Sequence, residues 1–368
     1  MRLEELTKIA RRRRLDQVLV ANEANIRALT GITCDNAVLV LSSPISVPSS
    51  LFPLPSSLTF YTDFRYIPMV HRVAPKLVCR DIKRFGTSRR GAGTSRPRRI
   101  GYESSIPHSR FLSWQKKFPR AAFVDISKDL AAIRAVKTLD EIAALRAAER
   151  LNCEIWETAR GKFKAGMTER QMARIIQKLM IERGEGEAFA TIVCVGKNAA
   201  ECHHEPDDTV WNGREPVLVD MGVKLNGVCS DLTRNLIPDR RKGKLYCSPS
   251  PSTSPLYRKV YQLVLKANLA AIAAAKPGMT GRQLDKVARD VIKKGGFGKC
   301  FGHSLGHGVG YEIHEEPYAS KKGDSVLKPG MLVTIEPGIY LEDNLGVRIE
   351  DLILITETGC EVLSNCEK

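Results

Sequence analysis

Two aspartates stand on either side of an Asn-Gly pair in VLVDMGVKLNGVCSDLTRN, residues 217–235. Asp220 and Asp231 each end an apolar, β-branched run, although aspartate is depleted in strands and costly to bury. Asn226-Gly227 predicts a two-residue hairpin turn, and in that register both carboxylates project from one face. They are then diagonal neighbours about 7–8 Å apart at the backbone, and a metal ion between them would offset their repulsion. An exposed hairpin face is the alternative, and the hairpin alone does not decide between the two.

A second group of ionisable residues lies in GHSLGHGVGYEIHEEP, residues 302–317. His303, His307 and His314 belong to this glycine-rich run, where backbone can approach a ligand closely. Neutral imidazole is the commonest nitrogen ligand of divalent metals, which makes these residues candidate ligands. A single histidine in such a loop is more often structural, so this run is a weak indication by itself.

A third group lies in MLVTIEPGIYLEDNLGVRIEDLILIT, residues 331–356. MLVTIE and VRIEDLILIT predict two strands joined by a turn, and each strand buries one acid, Glu336 or Glu350. Arg348 shares the face of Glu350 by the two-residue period of a strand. We expect Arg348 to be a catalytic residue that orients the Glu350 carboxylate by charge-assisted hydrogen bonds.

Taken together, the three groups indicate a metal site. Asp220, Asp231, Glu336 and Glu350 with an imidazole carry too much negative charge for one buried spot without about two divalent cations. An oxygen-rich ligand set with a single nitrogen suits Mn²⁺, Fe²⁺ or Co²⁺ and does not resemble a structural zinc site.

The elements that must position these residues are both strands and helices. The first third predicts helices at 23–31 and 109–118 and strands at 17–22, 36–43, 58–66, 75–82 and 98–104. The remainder predicts helices at 168–184, 254–278 and 280–296 and strands at 189–195, 216–222, 227–236, 331–337 and 347–355. Two stretches predict exposed loops, the basic stretch 83–99 and the Pro/Ser-rich insert 238–255.

A long helical stretch over 127–163 separates the first third from the rest of the chain. Thr138, followed three residues later by Glu141, predicts a helix start within it. The length of 368 residues accommodates two domains. We therefore expect an α+β fold with an α/β domain at 1–126 and a second domain, which carries the candidate metal site, at 127–368.

The composition is that of an ordinary soluble protein, with 43% hydrophobic and 27% charged residues. No apolar run approaches the roughly 20 residues of a membrane helix, and the N-terminus lacks the apolar core of a secretory signal. The ten cysteines include no CxxC pair, which argues against a disulfide framework. We expect a cytoplasmic protein without membrane association.

The positive charge is concentrated in the first third of the chain. Residues 1–120 hold 22 Lys and Arg against 8 Asp and Glu, so they carry +14 of the net +16. Such a surface can hold nucleic acid or an acidic partner. No aromatic platform or binding motif accompanies the charge, so we expect a solvated basic face and no nucleic-acid partner.

The ordered set Asp220, Asp231, His307, Glu336 and Glu350 resembles that of the prolidase and aminopeptidase P branch of the pita-bread-fold dinuclear metallopeptidases. FATIVCVGKNAAECHHEP, residues 189–206, is similar to the block of that branch that ends in a substrate-site histidine. YTDFRY and IGYESS are similar to its N-terminal domain. The resemblance implies a creatinase/prolidase-like first domain, a pita-bread catalytic domain, and hydrolysis of the N-terminal Xaa-Pro bond in dipeptides or short peptides.

The resemblance also implies a role for each candidate ligand. Asp220 would bind one of two divalent ions, Asp231 and Glu350 would bridge the pair, and His307 and Glu336 would complete the other ion. We expect Mn²⁺, with Co²⁺, Fe²⁺ or Zn²⁺ as alternatives.

Further residues would contact the substrate or take part in the reaction. His203, His314 and Tyr340 are expected in the substrate site. A hydroxide shared by the two ions would attack the scissile carbonyl, and His303 or His314 would stabilise the resulting oxyanion. Glu336 would carry a proton from the water to the leaving nitrogen.

The oligomeric state, the substrate preference and two alternative functions are considered next to this resemblance. The resemblance implies a homodimer that acts on short proline-containing peptides. Cys202 stands where the branch usually has proline, which leaves the substrate preference open. One alternative is a methionine aminopeptidase, which shares the ligand set, and the other is a non-catalytic basic binding protein on the same fold.

Overall fold

The computed structural model describes five stretches of the chain, residues 2–42, 57–87, 98–239, 244–250 and 253–368. The chain folds into two compact units, Met1–Arg134 and Ala135–Lys368. Both units combine helices with sheets, which confirms the predicted α+β fold. Within the described stretches, every helix is too short or too polar to cross a membrane.

The first unit is built on a six-stranded mixed sheet in the order β4-β3-β2-β1-β5-β6. Its strands are β1 (Gln17–Val20), β2 (Ala37–Ser42), β3 (Leu58–Thr62), β4 (Val78–Asp81), β5 (Arg99–Tyr102) and β6 (Ala122–Asp125). Its helices are α1 (Arg2–Arg12), α2 (Glu23–Thr30), α3 (Ile67–Val73), α4 (His108–Lys117) and α5 (Ser127–Ala135). Val18, Phe60 and Ile100 are fully buried in this sheet. All five strands predicted here are present, whereas α1, the short α3 and β6 were not predicted.

The second unit contains four longer helices, α6 (Leu139–Arg160), α7 (Glu169–Arg183), α8 (Pro255–Ala274) and α9 (Gly281–Lys294). Capping boxes begin three of them, at Thr138, Thr168 and Thr280. In a capping box the threonine side chain and the Glu or Gln three residues later bond each other's backbone N–H groups. The start predicted at Thr138 is therefore confirmed.

The strands of the second unit are short. They are β7 (Ile192–Val195), β8 (Val217–Met221), β9 (Lys224–Leu225), β10 (Val228–Cys229), β11 (Leu232–Asp239), β12 (Lys244–Tyr246), β13 (Gly306–Gly308), β14 (Glu315–Ala319), β15 (Leu332–Ile335), β16 (Gly338–Leu341), β17 (Leu345–Arg348), β18 (Asp351–Ile355) and β19 (Cys360–Val362). Apolar residues of α6 and α7 pack on β7 and β8, and those of α8 and α9 pack on β15 to β18.

The hairpin over 217–239 has the predicted turn and register. Asn226 and Gly227 both have positive φ, 52° and 66°, as the tight hairpin turn requires. Leu225 pairs with Val228, and the same register continues to the pair formed by Asp220 and Thr233.

Gly222 lies between the two ladders of this hairpin. A Cβ atom there would lie 2.3 Å from the carbonyl oxygen of Ser230, so a larger residue would displace the backbone. Extending the register places Gly222 opposite Asp231, as predicted from the turn.

The hairpin over 331–356 is divided into two ladders, which differs from the prediction of two unbroken strands. β15 pairs with β18, and β16 pairs with β17. The residues between the ladders find backbone partners elsewhere, since Glu336 N–H donates to Leu305 O (2.8 Å) and Glu350 N–H donates to Thr233 O (3.2 Å). Both glutamates therefore lie at the interruption, where the ladder opens.

The two predicted loops lie partly outside the described residues, at 88–97 and at 240–243 and 251–252. The described part of the second is not all loop. β11 continues to Asp239, and β12 pairs with it antiparallel. The prediction of a loop over 238–255 was wrong for these residues, because a Pro- and Ser-rich composition does not exclude pairing at a sheet edge.

Candidate metal centre

All five predicted ligands line one cavity of about 520 Å³ in the second unit. Asp220 comes from β8, and Asp231 immediately precedes β11. His307 lies in β13, and the two glutamates lie at the interruption described above. Every ligand is thus held by a strand or a strand end, which fixes its backbone on a rigid support.

His307 lies among the carboxylates. Its Nε2 is 3.5 Å from Asp231 Oδ2 and 3.4 Å from Glu336 Oε1. Its Nδ1 lies 3.2 Å from Gly308 O, an acceptor, so Nδ1 carries the proton and Nε2 offers a lone pair to the cavity. Ligand atoms of Asp231, His307 and Glu350 all lie within 4.8 Å of one another. This spacing allows one cation to be shared.

Burial and mutual repulsion perturb these groups. Burial, reinforced by Glu350 and Asp220, raises the pKa of Asp231 well above its usual range. Burial, reinforced by Glu336 and Asp220, likewise raises the pKa of Glu350. Burial raises the pKa of Glu336 to about 8. Burial, with His314 beside it, lowers the pKa of His307 to about 4. Acids that hold their protons and a neutral imidazole are groups that a cation would bind with release of protons.

The negative charge of the Asp220 carboxylate is also only partly balanced by its neighbours. Its Oδ2 accepts a hydrogen bond from Arg348 Nη2 at 2.6 Å. Its Oδ1 is buried and has no hydrogen-bond partner within the described stretches of the chain. Arg348 offsets only one of the carboxylate charges in the cavity, so the donor set fits two divalent cations.

Arg348 does not bond Glu350 directly, which corrects the prediction. Besides Asp220, its guanidinium donates to Thr233 Oγ1 (3.1 Å) and Tyr340 OH (2.8 Å). Thr233 Oγ1 in turn donates to Glu350 Oε2 at 2.7 Å. The two-residue alternation fails here because the strand is interrupted between Arg348 and Glu350. Thr233 was not predicted as a site residue, although it lies only two residues after Asp231.

The cavity also contains the three other predicted histidines, His203, His303 and His314. His314 packs edge-on against His307, with ring centroids 4.3 Å apart. Burial and the neighbouring His203 lower the pKa of His314, so its ring is neutral. His203 and His314 are exposed at the cavity wall.

Tyr340 is not part of the cavity wall and lies behind it. Its hydroxyl is 2.9 Å from His303 Nε2. His303 Nδ1 lies 2.7 Å from Ser304 O, so Nδ1 carries the proton and Nε2 accepts from Tyr340. The prediction that Tyr340 contacts substrate stays a prediction. Tyr340 holds His303 and Arg348 in place.

Two buried glutamates near the site were also not predicted. Glu169 accepts from Val195 N (2.6 Å), Asn198 Nδ2 (2.9 Å) and Asp207 N (3.1 Å), and its Oε2 lies 2.7 Å from His204 Nε2. These bonds hold the loop that carries Cys202 and His203. Glu149 on α6 accepts from the backbone N–H of Asp231 at 3.2 Å. Glu149 lies within an amphipathic helix, where its sequence position looks like that of an ordinary surface acid.

Two family models match the chain. The model of metallopeptidase family M24 matches residues 143–357. The model of the creatinase/prolidase N-terminal domain matches residues 2–136. Together they account for most of the sequence.

Individual relatives are similar over part or all of the chain. The Xaa-Pro dipeptidase of Pyrococcus furiosus is 40% identical over 204 residues. That match covers 55% of each chain, so this chain spans about half the length of that curated relative. The solved prolidase from Pyrococcus furiosus has a TM-score of 0.84 at 30% identity and covers 98% of this chain and 100% of that chain. An X-Pro aminopeptidase from Thermotoga maritima has a TM-score of 0.77 at 28% identity and covers 95% and 96%.

Proposed function

Because the chain belongs to metallopeptidase family M24 and has the pita-bread catalytic domain of that family, we propose that it hydrolyses the N-terminal Xaa-Pro bond of dipeptides or short peptides. The observation that carries the proposal is that four carboxylates and His307 line one cavity. Relatives named Xaa-Pro dipeptidase, prolidase and X-Pro aminopeptidase support the choice of bond.

The residues that would hold the metal are the five predicted ones, Asp220, Asp231, His307, Glu336 and Glu350. The family has a dinuclear metal site, and we expect Mn²⁺ here, with Co²⁺, Fe²⁺ or Zn²⁺ as alternatives. The chemistry that such cations supply is Lewis acidity, which acidifies water and polarises a carbonyl oxygen.

Glu336 is the candidate proton carrier. It lies at the opened end of a ladder, beside His307 and within the cavity. Thr334 Oγ1 donates to its Oε1 at 3.3 Å and holds the carboxyl group in one orientation. A carboxyl in this position takes a proton from the attacking water and returns it to the leaving nitrogen.

His314 is the candidate donor to the oxyanion. Both ring nitrogens of His303 are engaged, by Ser304 O and by the Tyr340 hydroxyl. His314 is neutral and exposed at the cavity wall, and a neutral imidazole can donate its N–H to a developing negative charge. His203, on the opposite loop of the wall, is available to the substrate's terminal groups.

The test is a comparison of peptides with the Mn²⁺-loaded protein. Gly-Pro, Ala-Pro, a longer Xaa-Pro-Xaa peptide and Met-Ala are incubated in parallel, with a chelated sample as control. We expect cleavage of the Xaa-Pro bonds and loss of activity on chelation. Cleavage of dipeptides alone identifies a dipeptidase, and cleavage of the longer peptide identifies an aminopeptidase. Preferred cleavage of Met-Ala would overturn the assignment.

The oligomeric state is a separate part of the proposal. By analogy with the resembling branch we expect a homodimer, which light scattering coupled to gel filtration would measure directly. A monomer of 40.8 kDa with full activity would contradict the dimer and leave the peptidase assignment intact.

A further inference from the structure

Residues 363–368 form a segment that lies along helix α6. Ser364 Oγ donates to Glu149 Oε1 on α6 at 2.6 Å. Further along the same helix, Arg160 Nη1 donates to Glu367 Oε2 at 3.4 Å. The segment therefore contacts the helix at two places, and the residues between them are held close to it.

Cys153 and Cys366 lie between those two contacts. From Glu149 to Cys153 the helix rises about 6 Å, at 1.5 Å per residue. Cys366 lies two residues beyond Ser364, and both cysteines belong to the same packed hydrophobic cluster. Cys153 lies one helical turn beyond Glu149, so the two contacts and the shared cluster place the thiols next to each other, and they form a hydrogen bond.

The two thiols are chemically different. Cys366 is partly exposed, and Cys153 is buried, with 7% of its surface exposed. The hydrogen bond from Cys153 and the charge of Arg234 outweigh burial and lower the pKa of Cys366 to about 7. The hydrogen bond with Cys366, followed by burial, raises the pKa of Cys153. Because Cys366 is the more exposed of the two, it is the thiol that a reagent reaches first, and Cys153 is the thiol placed to react second.

We propose that Cys153 and Cys366 are a modification site at which a low-molecular-weight disulfide oxidises the two thiols to an intramolecular disulfide. In the first step the Cys366 thiolate attacks one sulfur of the reagent, forms a mixed disulfide and releases one thiolate. In the second step Cys153 loses its proton to solvent and attacks Cys366 Sγ, which releases the second thiolate. Two protein thiols are oxidised and one reagent disulfide is reduced to two thiols.

The bond would fasten the segment 363–368 to α6 beside an existing contact. That contact, between Ser364 and Glu149, lies one helical turn from Cys153. Glu149 also accepts the backbone N–H of Asp231. The modification therefore acts on a segment that is connected to Asp231 through Glu149. Neither cysteine lines the cavity.

Oxidised glutathione is the probe, applied to the full-length chain and followed by acid quench, alkylation and peptide mapping. We expect two of the ten thiols to be lost together and a cross-linked peptide that joins Cys153 to Cys366. The rate rises with pH, because the thiolate of Cys366 is the species that attacks. Cys300→Ser, at a partly exposed cysteine elsewhere, leaves this product unchanged.

Two variants separate the steps. Cys153→Ser stops at a glutathione adduct on Cys366, and Cys366→Ser forms neither the adduct nor the cross-link. The wild-type mapping alone decides the proposal if a variant does not fold. Alkylatable thiols at both positions after oxidation, or a cross-link to any other cysteine, would overturn it.

Discussion

Asp231 contacts other groups of the metal centre through both its side chain and its backbone. Its carboxylate lies 3.5 Å from His307 and close to Glu350, and its backbone is held by Glu149. It is 4% exposed, so a charge here depends on a partner within the cavity.

Asp231→Asn keeps the shape of the side chain and removes its charge. We expect Mn²⁺ affinity, measured by isothermal titration calorimetry, to fall more than about 100-fold, beyond the cost of losing a residue that only supports a ligand. Peptidase activity should be lost with it. Glu103→Gln is the matched control, since Glu103 is also a buried acid but lies in the first unit. Wild-type metal binding by Asp231→Asn would refute the ligand assignment.

Glu336→Gln tests the proton carrier. The amide can still offer an oxygen to a cation but cannot exchange a proton, so we expect partial metal binding and a rate reduced by about 10²–10⁴. Steady-state kinetics on Ala-Pro and calorimetry separate the two effects. Glu342→Gln, at an exposed position in the turn between β16 and β17, should change neither. A near-normal rate in Glu336→Gln would remove the proposed role.

At the scale of elements, the site depends on segments that contribute no ligand. Helix α6 holds Asp231 through Glu149, and Ser364 joins that glutamate to the β18 strand by accepting the Leu352 N–H at 2.8 Å. Ser364 thus connects the support of Asp231 to the strand that follows Glu350. Its hydroxyl is buried, and buried groups that lose a partner pay the desolvation cost in full.

Ser364→Ala should weaken Mn²⁺ binding by about 10-fold and lower the free energy of unfolding by about 1–3 kcal/mol. Calorimetry gives the first quantity and urea unfolding the second. Ser254→Ala is the control, because Ser254 is exposed and its side chain makes no cap bond to α8. An unchanged metal affinity with reduced stability would show that Ser364 acts on folding alone.

The loop over 196–209 is held by the ion pair between His204 and Glu169. Burial lowers the pKa of His204, but the hydrogen bonds to Glu169 and Glu201 outweigh it and raise the pKa above its ordinary value of 6.5. The stabilisation is complete below that value, where histidine is charged in both the folded and unfolded states. It is lost as pH rises through the higher folded-state pKa.

The difference in unfolding free energy between wild type and His204→Gln should therefore be larger at about pH 6 than at about pH 8.5. Urea unfolding at both pH values measures it, and His108→Gln, at an exposed position on α4, provides the control. A difference that grows with pH would contradict the assigned ion pair.

At the scale of the whole molecule, metal binding should stabilise the second unit selectively. All candidate ligands belong to that unit, and cation binding at 100 times Kd adds about 2.7 kcal/mol to its stability. Hydrogen exchange measured with Mn²⁺ and with chelator should differ over 217–235, 303–317 and 331–355. Exchange over 2–42 should not change. Equal protection of both regions would indicate a general effect of the ion rather than a site.

Local chemistry was enough to predict much of this protein from its sequence. The Asn226-Gly227 turn sets its own register, so the side on which Asp220 and Asp231 lie was predictable. The cap at Thr138 is equally local. The ordered ligand set resembles that of the family, and the two family models confirm this resemblance.

Contacts between distant segments were decided only by the tertiary structure. Arg348 bonds Asp220, 128 residues away in the chain, because the ladder opens before Glu350. Glu149 reaches Asp231, and Ser364 reaches Glu149, across separations of 82 and 215 residues. Such partners have no sequence signal, since nothing local specifies which buried hydrogen-bonding groups meet. Residue types determined which chemistry was available, and packing of remote segments determined which atoms carry it out.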